Sequence, residues 1–391
     1  APELPLRPSP RRGALALRLG AALHAPSVAR AGGFAVEKAP HGDEAAKPQR
    51  SFEERIGDTL IRQYQLGCLS QLTYLIGSGD EAAVVDPQRD VDHYIEDAKA
   101  LGLSITKVFL THTNADFVAG HTELARRTGA TIYIAKNSES KFPHEALEDG
   151  QKVMLGSATV EFWATPGHTL DSMTILVHPA QALVSPAWAI TGDTLFIGGI
   201  GRPDLVGGET TPVVLADMAY DTMTRLRTLP DETKVLPAHG AGSLCGAHLS
   251  PETVSTMGAE KKANPYLKPM SRAKFVSRVV TGLPVAPAYF KENVRINREG
   301  PPIIDGMPDM PTALAPSAVQ AQVDAGAWVI DLRDAATYAA EHVLGSVNIA
   351  VRGRLDTWTG IVVPFDAPLV LVGNDEEVRE AAFRFRRIGL D

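Results

Sequence analysis

From Phe52 to about Tyr266, short apolar runs alternate with stretches of helical spacing. LTYLIG and EAAVVDP read as two strands joined by a turn at Gly77–Ser78–Gly79–Asp80. Val91, Tyr94, Ile95, Ala98 and Leu101 recur at helical intervals and predict a helix over 91–101. ITKVFLT predicts a buried strand, and Gly120 to Thr128 a helix. TIYIA, KVML, TVEFWAT and the run into Ala189–Ile190–Thr191 are further strands; Thr211 to Leu226 is helical and TKVLPA is again a strand. Such alternation predicts α/β layers. Residues 267–311 are rich in proline and poor in long apolar runs, which predicts a connector over the surface and not a core. Beyond it, AWVIDLR and LVLVG read as strands, with helices over Ala335 to Glu341 and Glu376 to Arg387: a second, smaller α/β unit over 312–391. It ends after a helix, where a parallel sheet would want another strand, so it is expected to be incomplete.

A chain of 391 residues can bury two cores, and 44% hydrophobic with 21% charged residues fits a globular protein. The net charge of −8 argues against non-specific nucleic-acid binding. Two cysteines, Cys68 and Cys245, make no disulfide framework and point to a reducing compartment. Both read as small buried residues. No apolar run approaches the length of about 18 residues that a membrane span needs. Residues 1–50 form a basic arm and linker: Arg7, Arg11, Arg12, Arg18 and Arg30 stand in 4–36 without an acid between them. Arg-rich, acid-poor starts resemble organelle transit peptides, so the mitochondrial matrix is the expected compartment, with the cytoplasm as the alternative. An extension without function is the plainer reading of the same arm.

The first α/β unit, 51–266, places polar residues after four strand-like runs: His112 and Asp116 in VFLTHTNAD, His168 in FWATPGHT, Asp193 in AITGDTLF and His239 in KVLPAHG. Strand ends in such sheets converge on one edge, where sites form. Gly167, Gly192 and Gly240 stand beside these residues and let the backbone turn and come close. Two histidines and one carboxylate on one face of an ion leave its other face open, which suits non-haem Fe(II). Zinc hydrolases commonly need more, a third His or a second metal. Asn114 and Phe117, two and five residues after His112, are poor ligands for such a second ion.

THTNAD, TPGHT, TGDTLFIGGIGRPDL and PAHGAGSLCG resemble the metal motifs of the metallo-β-lactamase superfamily. They match its persulfide dioxygenase branch best, and closest of all its fusions with rhodanese modules. GCLSQLTYLI upstream, and ANPYL and GLPVAPAYFKENVRINREGPP downstream, carry the same resemblance. It implies an αββα sandwich followed by a rhodanese-like unit. It further implies a mononuclear Fe(II) enzyme that oxidises glutathione persulfide with O2 to sulfite and glutathione. His112, His168 and Asp193 would hold the one ion, with zinc as the other candidate. Arg202 of GRPDL would bind the anionic substrate, a surface salt bridge being the plain alternative. Asp116 and His239 would order the pocket.

Asn114 stands where the family has His, and Asn can hydrogen-bond but neither takes a proton nor binds metal well. This makes a glyoxalase II-like zinc thioester hydrolase the lesser alternative. IDLRDAATYAAEHVLGSVNIAV resembles a rhodanese strand, helix and loop, but no Cys follows Cys245, so sulfur relay by a thiolate there is expected to be absent. Asn114, the Cys-less unit and the basic arm together motivate the main alternative: a degenerate homologue serving as a structural subunit of a mitochondrial complex. Expected partners are glutathione persulfide and O2, with a homodimer or larger mitochondrial assembly contacted through the arm and the rhodanese-like unit.

Overall fold

The computed structural model describes residues 47–205, 210–246, 249–304 and 311–391. The basic arm up to residue 46 lies outside the described residues.

The first sheet runs in chain order β1 (Gln49–Ile56), β2 (Thr59–Leu66), β3 (Gln71–Ser78), β4 (Glu81–Val85), β5 (Ser104–Phe109), β6 (Thr131–Ala135) and β7 (Glu145–Leu147). Its first four strands pair antiparallel and the rest parallel; α1 (Asp92–Ala100) and α2 (His121–Thr128) supply the crossovers into β5 and β6. β1 starts at Gln49, inside the expected linker: Phe52 and Ile56 alternate with charged positions and pack on the core.

The second sheet begins with β8 (Gln151–Leu155), β9 (Ala158–Ala164), β10 (Met173–His178) and β11 (Trp188–Gly192). A small ladder of β12 (Leu195–Phe196) and β13 (Gly199–Ile200) and then α3 (Pro212–Leu226) follow. Thr211 caps α3 by accepting from the Val214 amide, with Pro212 at the first helical position. β14 (Lys234–Pro237) pairs parallel with β11, and β15 (Ser255–Thr256) closes the sheet in the order β15-β14-β11-β10-β9-β8.

The apolar faces explain the layers. Ile61, Leu72, Tyr74, Ile76, Val85 and Phe109 of one sheet meet Val160, Phe162, Ile175, Val177, Trp188 and Ile190 of the other in one buried core. α1 and α2 cover the outer face of the first sheet through Tyr94, Ala98 and Leu124. On the far side lie α3, α4 (Met257–Ala263) and α5 (Arg272–Val280), through Leu215, Ala219, Met223, Met257, Phe275 and Val279. The result is helix, sheet, sheet, helix.

The segment 267–311 differs from its expectation of a connector without a core. It holds α5 and α6 (Tyr289–Glu299), and Phe275, Val279, Tyr289, Phe290 and Val294 are buried. Short helical faces such as Phe275 with Val279 are easily hidden between prolines, because each spans barely two turns. The remaining elements are α7 (Pro316–Asp324), β16 (Trp328–Asp331), α8 (Ala335–Ala340), β17 (Val347–Asn348), α9 (Leu355–Val362), β18 (Leu369–Val372) and α10 (Asp375–Arg386). Their three strands are parallel, in the order β17-β16-β18. This lobe shares a core with the sandwich: Ile388 packs among Leu66, Leu69, Phe117, Tyr289 and Phe290.

Candidate metal centre

Each sheet delivers its polar residues at the same edge. β5 ends at Phe109, and the loop after it carries His112, Asn114 and Asp116. His168 follows β9, Asp193 follows β11 directly, and His239 lies two residues past β14. The loop after β5 is clamped from α6: Asn297 donates to the carbonyls of Asn114 and Phe117, both at 2.8 Å, and accepts from the Ala119 amide at 2.9 Å. Gly192, at φ +53, turns the chain into Asp193; a Cβ there would meet Thr111 Oγ1 at 2.6 Å. Gly240, in contrast, faces open space, and crowding does not require glycine there.

His112, His168 and Asp193 converge, with one ligand atom from each all within 4.8 Å of one another and all three residues buried. Asp193 Oδ2 lies 3.8 Å from His112 Nε2 and 3.5 Å from His168 Nε2. Ligands held about 2.0–2.2 Å from one ion stand roughly 3–3.5 Å from each other, so the cluster fits an ion with little movement. Asp193 Oδ2 is buried with no hydrogen-bond partner among the described residues. A bare carboxylate oxygen in that position is costly unless a cation meets it.

The ring tautomers are set from behind. The Thr111 hydroxyl donates to Asp86 Oδ2 at 2.7 Å and accepts from His112 Nδ1 at 2.9 Å. Asp86 itself sits at φ +49, in the left-handed region, held by a second bond from the Thr111 amide. His168 Nδ1 donates to the Arg202 carbonyl at 2.7 Å. Both Nε2 lone pairs are thereby turned toward Asp193, the usual outer support of a metal-bound imidazole. His239 Nδ1 donates to the other oxygen of Asp193, Oδ1, at 2.6 Å, and its Nε2 lies 2.9 Å from Asp116 Oδ2.

Burial pushes His168 down to about 4, so the ring is neutral and ready to ligate at neutral pH. Burial works to raise Asp193, but His239, His112 and His168 hold its carboxyl well below the usual range. Burial opposes the charge on His239, yet Asp116 and Asp193 raise it well above the ordinary value. Asp86 is pushed up to about 7 by burial, against the bonds it accepts from Thr111.

The other expected residues fall into place unevenly. Asp116 and His239 stand against each other beside Asp193. Asn114 is buried with neither end of its amide partnered among the described residues; it lines a small cavity with His112, His121 and Asn297. Arg202 is buried, and its fork grips Asp204, with Nε and Nη2 each 2.7 Å from a carboxylate oxygen. It also donates to the carbonyls of Leu244 and Pro284. In this conformation the fork is neither open nor at the surface, and a substrate carboxylate would compete with Asp204 for it. Asp204 lies two residues away in the same turn, close enough for a bidentate match. The sequence reading passed over Thr111, Asp86 and Asn297, which hold the loop and its ring; only Thr111, beside His112, offered a local signal.

A family model described as the Metallo-beta-lactamase superfamily matches residues 66–239. A hydroxyacylglutathione hydrolase of Maricaulis maris (strain MCS10) is 30% identical over 244 residues, which cover 55% of this chain and 88% of that protein. Among solved structures, a metallo-beta-lactamase from Staphylococcus aureus subsp. aureus COL aligns with a TM-score of 0.77 at 27% identity, over 86% of this chain and 97% of that one. That span reaches past the sandwich into the C-terminal lobe. ETHE1 from Myxococcus xanthus aligns with a TM-score of 0.53 at 31% identity, over 61% of this chain and 97% of that one.

Proposed function

Because this chain belongs to the metallo-beta-lactamase superfamily, we propose that it is a mononuclear Fe(II) persulfide dioxygenase that turns glutathione persulfide, O2 and water into glutathione and sulfite. The observation that carries this reading is the unpartnered Asp193 Oδ2 facing the two Nε2 atoms of His112 and His168. This is one face of ligands with the opposite side left to guests. Ferrous iron in such a set supplies the redox chemistry with O2. The chain does the rest. Thr111 and Asp86 keep His112 presented through Nε2, and the Arg202 carbonyl does the same for His168. His239 orients Asp193, and Arg202, once released from Asp204, offers the motif's guanidinium fork to an anionic substrate. Among the described residues no helix is long and apolar enough to cross a membrane. We assign the mitochondrial matrix from the basic arm, and the C-terminal lobe as a rhodanese-like docking piece without a sulfur-relay cysteine. At its β18–α10 junction Asn374 and Glu377 form a capping box, a helix cap where a relay loop would stand.

The names of the hydrolase relatives favour a second reading, zinc-dependent hydrolysis of a glutathione thioester. Asn114 and Phe117 weigh against it, because neither supplies the extra imidazole that a two-zinc centre uses. One experiment separates the readings. Metal-free protein is loaded anaerobically with Fe(II) and, separately, with Zn(II). O2 uptake is followed with glutathione persulfide, and thioester cleavage with an S-acylglutathione. Persulfide-dependent O2 uptake by the iron form, abolished in His168→Ala, is the expected outcome. Its absence, with thioester cleavage by the zinc form, transfers the assignment to the hydrolase. Absence of both leaves the structural-subunit reading.

A further inference from the structure

The buried arginines Arg62, Arg89, Arg202, Arg384 and Arg387 each hold a carboxylate, from Asp97, Asp391, Asp204, Asp356 and Asp90 in turn. Arg354 differs. Its Nε is buried without a partner, and among the described residues its guanidinium enters no hydrogen bond or ion pair. The two Nη ends are not shut in, so the tip of the fork faces free space. Arg354 also stands at the cap position of α9, directly before its first turn. A cation is unfavourable at that positive end of a helix, and an anion is favoured there. The acid of the first turn, Asp356, is engaged by Arg384 and makes no ion pair with Arg354.

This place adjoins the candidate metal centre. The loop after β14 leads from His239 to Gly242, three residues on and so no more than about 11 Å away. Gly242 stands at φ +95, and a Cβ on it would lie 3.0 Å from Ser70 Oγ and 3.4 Å from Arg354 Nη1. A bare backbone there leaves the fork clear. Tyr289, at the start of α6, has its ring against Gly360 of α9, where a Cβ would meet it at 2.7 Å. Burial raises the Tyr289 hydroxyl well above its ordinary range, helped by Asp116, Cys245 and Asp356, while Arg354 acts to lower it. The hydroxyl therefore stays neutral, within the fields of both the site edge and the arginine.

We propose that Arg354 binds the glycine carboxylate of the glutathione part of the substrate, so that the C-terminal lobe reads the anionic end of the ligand. The proposal rests on the glutathione persulfide reading for its ligand. In glutathione that carboxylate stands one residue past the sulfur-bearing one, roughly 7 Å from it, which suits a fork beside the His112, His168 and Asp193 cluster and not within it. The γ-glutamyl end is the poorer match. It carries an ammonium beside its carboxylate and would need a free acid as well, and Asp356 is taken. A guanidinium fork meets a carboxylate with two parallel N–H···O bonds. The shared core then has a use: it keeps Arg354 at a fixed distance from the site.

The test measures, by calorimetry under argon, the binding of glutathione and of its glycine monoethyl ester to the reduced, Fe(II)-loaded full chain. The ester removes one charge and little else. Wild type is expected to bind the acid roughly 10–100-fold tighter than the ester, the ratio that a charge-assisted hydrogen bond supplies. Arg354→Met keeps the aliphatic stem and is expected to bind both ligands at the ester's affinity; Arg354→Lys is expected to keep part of the preference. Arg352→Met, at an exposed neighbour, is expected to match wild type. In O2 uptake with glutathione persulfide, Arg354→Met is expected to raise KM by the same factor with kcat nearly unchanged. Equal binding of acid and ester by wild type overturns the proposal, and so does a preference that persists in Arg354→Met. A variant weakened toward both ligands alike also overturns it, because damage to the fold does not distinguish an acid from its ester. A wild type that consumes no O2 yet prefers the acid sinks the dioxygenase reading and supports this site, because a glutathione thioester carries the same carboxylate.

Discussion

Asp193 has two oxygens with two neighbourhoods. Oδ2 faces the Nε2 atoms of His112 and His168, and Oδ1 accepts from His239. Because the residue is buried, each oxygen needs a partner of opposite charge or a donor, and only one has a donor. His121 shows the reverse situation. It lines the same small cavity as Asn114, is buried, and has neither ring nitrogen partnered among the described residues. Burial pushes its pKa down to about 3. The unfolded chain then binds a proton that the folded chain refuses from about pH 6.5 downward. The neutral-ring contribution is whole above that value and is lost progressively as pH falls toward 3. His121→Leu removes no hydrogen bond, so it is expected to cost little at pH 7.5 and to gain on wild type steadily from pH 6.5 to 4.5. Denaturant unfolding at several pH values measures this, and parallel stability curves for the two proteins would contradict it.

At the scale of elements, the loop after β5 is only as well placed as α6 makes it. Asn297 satisfies two carbonyls and one amide in that loop, all buried. Asn297→Ala leaves those groups unpaired, at about 1–3 kcal/mol for each one that water does not reach. The expected outcome is a melting temperature lower by several degrees, together with weaker metal binding at the His112 centre. A variant that melts lower but binds metal as tightly as wild type would make Asn297 a purely structural residue. The same helix explains why 267–311 is no surface connector. Its apolar face, Tyr289, Phe290 and Val294, closes the site edge from outside the sheets.

For the whole molecule, a buried charge network ties the C-terminal lobe to the sandwich. Arg384 and Asp356 form a fully buried ion pair. Asp356 also accepts from Cys68 Sγ at 3.4 Å, and Arg387 reaches Asp90 at 3.0 Å. Arg89 of the sandwich is gripped by Asp391. A buried ion pair is weak as a source of net stability, but breaking it by removing one partner is costly, about 3–5 kcal/mol, because the other charge is stranded. Arg384→Met is therefore expected to lower the unfolding midpoint by an amount of that order. The loss should register at Trp188 in the sandwich as well as Trp328 in the lobe, because both lobes share one core. Separate transitions for the two tryptophans would refute the shared core. Burial pushes Cys68 up to about 12, with Asp356 adding to it, so this thiol is a packing atom in the network and not a nucleophile.

The sequence by itself determined the elements whose signal is local. Long apolar runs such as ITKVFLT and AWVIDLR became β5 and β16, and the periodicity of Val91 to Leu101 became α1, because side-chain spacing along one segment is enough to select strand or helix. It also brought forward His112, His168 and Asp193, whose motifs stand just after strands that must end at one edge. The tertiary structure alone decided what depends on residues distant in the chain. The Arg202 fork reached the carbonyls of Leu244 and Pro284, in two other segments. Asn297 reached the loop after β5 from about 180 residues away. Cys245 became a neighbour of Asp116 only when two loops met. A hydrogen bond or a ligand set is a relation between points in space, and local spacing holds no information on which distant donor will fill it.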